Sequence, residues 1–344
     1  MQAGCYTAII TPFTETSVDY DGLEQLVNFQ IQNGITGILA VGTTGESPTL
    51  NWDEHNRVIG EIAENSKSHC ACIAGTGSNN TAETLSATEH AAGAGVDAVL
   101  LVDPYYNGPS SMEIRKEYVT PVARRFPEIK VIPYVIPGRT GAQLLPEDLA
   151  ILAQNYENVR TVKEATGNLD NMRQTRKCCG ADYVILSGDD GMTFDMMTDP
   201  HIKGAGVISV ISNIAPRAVT EMVNLINKGE SSEARKRFTA LAPLFDLVTV
   251  KTTEKSPFGE VTCRARNPLA LKTLMNILGM PAGPCRRPLG KMTPRGVEKV
   301  LAAVRKTQAD HPEILSPVAD FFSVDIDERI NTPAYWKNLS YSSY

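Results

Sequence analysis

The stretch "ITGILAVGTTGESPTLNWDEHNRVIGEIAENSKSHCACIAGTGS" runs from Ile35 to Ser78. It opens on an apolar, β-branched run (Ile35–Thr44). An amphipathic stretch follows, from Asn51 to Ser66, and a second apolar run closes it (Cys70–Ser78). Near-continuous apolar runs suit strands of a parallel sheet buried on both faces. Asparagine at the start of the amphipathic stretch is a favoured helix N-cap. The whole reads as one strand–helix–strand unit.

The unit recurs. Further strand-like runs are "CYTAIITPF" (Cys5–Phe13), "VDAVLLVDPYY" (Val96–Tyr106), "KVIPYVIPG" (Lys130–Gly138), "VRTVKEATG" (Val159–Gly167), "DYVILSGDD" (Asp182–Asp190) and "GVISVISNIAP" (Gly206–Pro216). Eight strand–helix units within residues 1–228 predict a (β/α)8 TIM barrel. A doubly wound open sheet would normally carry a glycine-rich dinucleotide loop after its first strand. That position reads "TPFTETSVDYDG" (Thr11–Gly22), with no G-x-G-x-x-G.

After Gly229 the pattern changes. Ser231–Val248, Asn267–Gly279 and Thr293–Thr307 read as helices with no strands between them, so residues 229–307 are expected to form a helical extension. Residues 308–344 form a tail without a clear period, too rich in Phe, Tyr and Trp for simple disorder. It is expected to pack on the domain or on a neighbouring subunit.

The formal net charge is −6, and no Lys/Arg run offers a footprint for nucleic acid. No apolar run approaches the ~18–20 residues of a membrane span. "MQAGCYTAIITPF" lacks the basic start of a signal peptide and reads as a first strand. A cytoplasmic protein is expected. Seven scattered cysteines, with no C-x-x-C pair, read as free thiols of a reducing compartment. The five histidines (His55, His69, His90, His201 and His311) form no local cluster, so no metal site is expected.

In such a barrel the chemistry sits at the C-terminal ends of the strands. Lys163 lies in the sixth run, between Val162 and Glu164. Strand alternation puts Val162 and Lys163 on opposite faces. If Lys163 faces the lumen, burial lowers its pKa, and a neutral amine can attack a ketone to form a Schiff base. If it faces outward, it is a solvated partner of Glu164. The strand pattern alone leaves both readings open.

Other strand ends supply companions. Tyr134, on the preceding strand, could relay protons, although a tyrosine in an apolar run also suits a core. Thr43 and Thr44 lie between Gly42 and Gly45, where exposed N–H groups suit a small carboxylate. Arg139 follows a Pro-Gly turn and can grip a carboxylate bidentately, or simply face solvent. Asp189 and Asp190 occupy the position where phosphate-binding barrels usually place a backbone cradle. The expected substrate is therefore a keto acid without phosphate.

"GTTGES", "DPYYNGPSS", "IPGRTG", "VKEATGNL", "LSGDD" and "GVISV" occur in an order and spacing that resembles the dihydrodipicolinate synthase family, over roughly residues 3–300. That family belongs to the pyruvate-dependent class I aldolases, with N-acetylneuraminate lyase as a relative. "GTTGE" together with "GRTG" favours the synthase over lyases acting on sugar acids.

The resemblance implies roles. Lys163 looks like the Schiff-base lysine that captures pyruvate, and Tyr134 like the proton donor and acceptor there. Thr43 is similar to the threonine that links this tyrosine to a second one, Tyr106, which in the family reaches into a neighbouring subunit's site. Thr44 matches the residue that holds the pyruvate carboxylate, with Gly188 and Ile208 lining the pocket. Arg139 matches the arginine that receives the carboxylate of L-aspartate 4-semialdehyde. The imine serves as electron sink, so no cofactor is implied. The family's L-lysine feedback site falls on Ser47, Pro48, Trp52, His55, Asn79, Glu83 and Tyr105. There His55 and Glu83 would meet an amino acid's charged ends, and Trp52 would wall its stem. A homodimer or homotetramer is implied.

Three features depart from the family pattern. Val135 stands where asparagine is common, Thr252–Pro268 is longer than expected, and the tail beyond about residue 307 has no counterpart.

Overall fold

Alternation along each apolar run decides which side chains enter the barrel. The computed structural model describes Met1–Tyr344. Its strands are β1 (Gly4–Ala8), β2 (Gly37–Ala40), β3 (Ala71–Gly75), β4 (Ala98–Val102), β5 (Lys130–Val135), β6 (Thr161–Glu164), β7 (Val184–Ser187) and β8 (Gly206–Ser209). They pair in parallel in chain order, and β8 closes on β1 with Tyr6 opposite Ile208. The eight strands form a closed barrel ringed by helices such as Tyr20–Gln32, Trp52–Ser66 and Thr81–Gly93.

Two cores result. Side chains of one parity, including Tyr6, Leu39, Ile73, Ile132, Leu186 and Ile208, fill the lumen. Those of the other parity, such as Val99, Val131, Val162 and Ile185, pack under the helices. Both faces of every strand are buried, so the runs are apolar throughout.

The extension beyond the barrel is not purely helical. β9 (Thr249–Ser256) and β10 (Gly259–Arg266) form an antiparallel hairpin between the helices Ser231–Phe245 and Leu269–Leu278. This corrects the expectation of a strand-free extension. In β9, Val250 and Thr252 are buried while Thr249, Lys251 and Thr253 are exposed, the period of a half-buried strand. The unexpectedly long Thr252–Pro268 segment is this hairpin.

The tail packs on its own chain. It contains the helices Ser316–Phe322 and Ile326–Asn331. Phe321 and Phe322 meet Phe29 with ring centroids 5.4 and 5.3 Å apart. Arg329 donates to the Ile277 and Asn276 carbonyls at 2.5 and 3.0 Å. These carbonyls end the helix Leu269–Leu278, where a cation also complements the helix dipole. No helix is long and apolar enough to cross a membrane.

Asp103 follows β4 and is fully buried. One oxygen accepts from the Leu144 N–H at 3.0 Å, and the other has no partner. Burial first, and the nearby Glu164 carboxylate second, push it up to about 7. A raised carboxylate pKa means that the folded chain binds the proton more tightly than the unfolded one. The associated stability is present in acid and is lost as pH rises through about 7. Asp103→Asn keeps an acceptor for Leu144 and cannot ionise. Its melting temperature relative to the parent should therefore be higher at pH 8 than at pH 5. Equal differences at both pH values would refute the buried-acid assignment.

Candidate active site

β5 and β6 pair so that Tyr134 stands opposite Lys163. Both side chains enter the lumen, while Val162 packs outward. Glu164 also points outward, where its carboxylate accepts from the Thr166 N–H and the Asn171 amide, each at 2.7 Å. The solvated Lys163–Glu164 pair is thereby excluded, and Lys163 is only 5% exposed.

The Lys163 ammonium lies 4.2 Å from the centroid of the Tyr134 ring, over its face. A ring face attracts a cation but cannot replace the water it has lost. Burial therefore dominates and pulls Lys163 down to about 7. Asp190 acts against this shift, and Arg139 adds to it. Lowering the pKa makes the uncharged form, which a nucleophilic amine requires, accessible near neutral pH. Gly188 follows β7 and lies against this side chain. A Cβ there would approach the Lys163 Cε to 3.1 Å, so glycine leaves the lysine its space.

Tyr134 is pushed up to about 12, chiefly by burial, while the neighbouring Arg139 guanidinium and Thr43 hydroxyl pull the other way. The phenol thus holds its proton at neutral pH, as a proton donor requires. Arg139 sits half-buried on the helical turn Pro137–Thr140 and donates to the Asn267 carbonyl at 3.3 Å. Thr44 is buried, and its hydroxyl accepts from the Asn267 side-chain amide at 2.9 Å.

Asp190 has a more specific place than repelling phosphate. It is buried and accepts from the Ser209 hydroxyl and from the Val210 and Ile211 N–H groups at 2.9 and 3.3 Å. The backbone donors after β8 already hold an anion supplied by the chain itself. A phosphate group would have to displace it.

A cavity of about 440 Å³ opens over these groups, lined by Thr43, Tyr134 and Arg139. The same cavity is lined by Ser47, Pro48, Trp52, His55, Glu83 and Tyr105. Asn79 lies behind it, accepting from the Tyr105 N–H at 2.7 Å. Trp52 and His55 meet edge to face at 5.0 Å. Burial pulls His55 down to about 4, so at neutral pH the imidazole is uncharged. Glu83 is tethered by the Ser78 hydroxyl at 2.5 Å.

Thr44, Lys163, Gly188 and Ile208 are not part of the wall of this cavity. Tyr106 is the one candidate that does not join the others. It is 86% exposed and does not line the cavity that holds Thr43 and Tyr134. Asn267, which touches both Thr44 and Arg139, escaped the sequence reading because nothing local marks it. No group of three His, Cys, Asp or Glu side chains is arranged to hold a metal ion.

Residues 1–307 match the model of the dihydrodipicolinate synthetase family. The chain belongs to that family. A 4-hydroxy-tetrahydrodipicolinate synthase from Methanococcus maripaludis is 40% identical over 289 residues, spanning 84% of this chain and 93% of the relative. Among solved family structures, DHDPS from Cyanidioschyzon merolae with lysine bound is 31% identical, with a TM-score of 0.80. It covers 89% of this chain and 98% of its own. The chloride-inhibited dihydrodipicolinate synthase from Acinetobacter baumannii, complexed with pyruvate, has the same identity and TM-score and covers 89% and 99%.

The state of the Lys163 amine is directly measurable. After reductive methylation with 13C-formaldehyde, the dimethylamine resonance absent from Lys163→Arg should titrate with a midpoint near 7. A midpoint in the ordinary lysine range, about 10, would show that the amine is solvated.

Proposed function

We propose that this chain is a 4-hydroxy-tetrahydrodipicolinate synthase, joining pyruvate to L-aspartate 4-semialdehyde in lysine biosynthesis. The observation that carries the reading is the Lys163 amine, buried inside the barrel. It lies over Tyr134 and below a mouth that contains Arg139. Family membership and the pyruvate complex of a relative support the substrate.

The Lys163 nitrogen attacks C2 of pyruvate, and loss of water leaves a protonated imine. Thr44 and the N–H groups of its loop hold the pyruvate carboxylate, and Gly188 and Ile208 line the same pocket. The imine accepts the electron pair released when a C3 proton leaves, which gives an enamine. No metal or organic cofactor is needed for that step. Tyr134, with Thr43 beside it, passes the protons of these stages. C3 then attacks the aldehyde carbon of the semialdehyde, whose carboxylate rests on Arg139. The adduct's own amine displaces Lys163 from C2, closing the ring and freeing the enzyme.

Tyr106 is proposed to complete the relay in a second copy of the chain, in a homodimer or homotetramer. Its exposure within the single chain supports this. L-Lysine is proposed as feedback inhibitor in the part of the cavity walled by Trp52. Uncharged His55 would contribute a hydrogen bond there, and Glu83 would meet the amine. The lysine-bound relative supports this assignment. Seven unpaired cysteines suit a cytoplasmic setting.

Pyruvate with L-aspartate 4-semialdehyde should give product in an assay coupled to a reductase. Borohydride should fix pyruvate on Lys163, and absence of that adduct rejects the mechanism. Arg139→Ala should raise the KM of the semialdehyde ~10- to 100-fold, the loss of charge-assisted hydrogen bonds worth about 1.5–3 kcal/mol. An unchanged KM removes Arg139 from the carboxylate site.

Millimolar L-lysine should lower activity and raise the melting temperature, as any ligand of the folded state does. Glu83→Ala should abolish both effects. Inhibition that persists undiminished in Glu83→Ala would place the lysine elsewhere.

A further inference from the structure

The loop that carries Thr43 and Thr44 ends on Glu46, whose φ of +55° is a left-handed conformation that side chains other than glycine seldom adopt. Something must hold it there. The Glu46 side chain is 1% exposed, and so is that of Lys272, although the two lie 226 residues apart. One Glu46 oxygen accepts from the Lys272 ammonium at 2.8 Å, and the other accepts from the Arg286 N–H at 2.9 Å. Lys272 spends its remaining protons on the Thr11 and Pro284 carbonyls at 3.0 and 2.9 Å. Thr11 in turn donates to the Gly45 carbonyl at 2.7 Å.

Five residues before Lys272, Asn267 makes its bond to the Thr44 hydroxyl. An amide N–H donating to that oxygen occupies its acceptor side, so the hydroxyl proton is free to be donated elsewhere. The segment Asn267–Lys272 thus holds the loop at two points on either side of Gly45.

We propose that Asn267, Lys272 and Glu46 are positioning residues that aim the Thr44 hydroxyl and the loop N–H groups at the pyruvate carboxylate. The proposal rests on reading Thr44 as the carboxylate site. None of the three touches the reacting atoms; they act through Thr44 and its loop.

A purely structural ion pair and a positioning brace make different demands. Removing one partner strands a buried charge and destabilises the fold, whereas replacing both partners by uncharged groups of similar volume is often tolerated. The double variant Glu46→Gln/Lys272→Met should therefore melt close to the parent. The pyruvate concentration for half-maximal borohydride trapping, and the pyruvate KM, should nonetheless rise ~10-fold, with kcat at saturating pyruvate changed less than ~2-fold. Pyruvamide, which lacks the carboxylate charge, should trap equally in parent and variant. A double variant with the parent's pyruvate dependence overturns the proposal. If that variant does not fold, Asn267→Ala decides. It leaves the ion pair intact and should also raise the pyruvate KM severalfold, and an unchanged value overturns the proposal. A parent enzyme that forms no pyruvate adduct at all defeats the underlying reading rather than the brace alone.

Discussion

Placing an amine inside the barrel lumen without a carboxylate paired to it is the constraint on which the rest of the site depends. A charged ammonium in that setting has lost its water and has only an aromatic face, 4.2 Å away, in exchange. The cost falls on the charged form, and the neutral nucleophile is what remains available. Glu164, adjacent in sequence, could have neutralised this effect. Strand parity sends it outward instead, to Thr166 and Asn171. The carboxylate whose charge acts on Lys163 is that of Asp190, whose hydrogen-bonding capacity is directed at the start of the loop after β8.

Asp190 does a second thing. Barrels that use phosphorylated substrates recruit backbone N–H groups near the ends of their last strands. Here those donors are filled from within. On the proposed reading, substrate choice is partly an exclusion: the carboxylates fall to the Thr44 loop and to the Arg139 mouth. The cavity between them is continuous with the region around Trp52, His55 and Glu83, so an occupant there would share a wall with the arriving aldehyde.

The barrel is legible because both strand faces are buried, and each run advertises itself as apolar. Lys163, Tyr134 and Arg139 are legible because a barrel confines chemistry to strand ends. The hairpin Thr249–Arg266 was missed because only one of its faces is buried, so threonines and lysines mask its period of two. Asn267 and Lys272 were missed for a different reason. Their partners lie more than two hundred residues away, and a lysine within "NPLALKTLMNILG" carries no local sign of a buried carboxylate. Tyr106 is singled out only through the resemblance, since nothing in its own chain marks a side chain that is 86% exposed. The uncharged state of His55 is not readable from sequence, which reports residue type, whereas burial sets protonation.

The distance along the chain between Thr44 and Asn267 has a consequence for how the enzyme is made. Synthesis runs from the N-terminus, and all eight barrel strands emerge before residue 267 does. A nascent barrel already carries Lys163, Tyr134 and Arg139, yet its Thr44 loop still lacks the partners of Glu46, which sits in a left-handed turn. Those partners arrive with the helix Leu269–Leu278, whose far end is secured later still, when Arg329 leaves the ribosome. Lys163 is therefore in place early, and the Thr44 loop is fastened late.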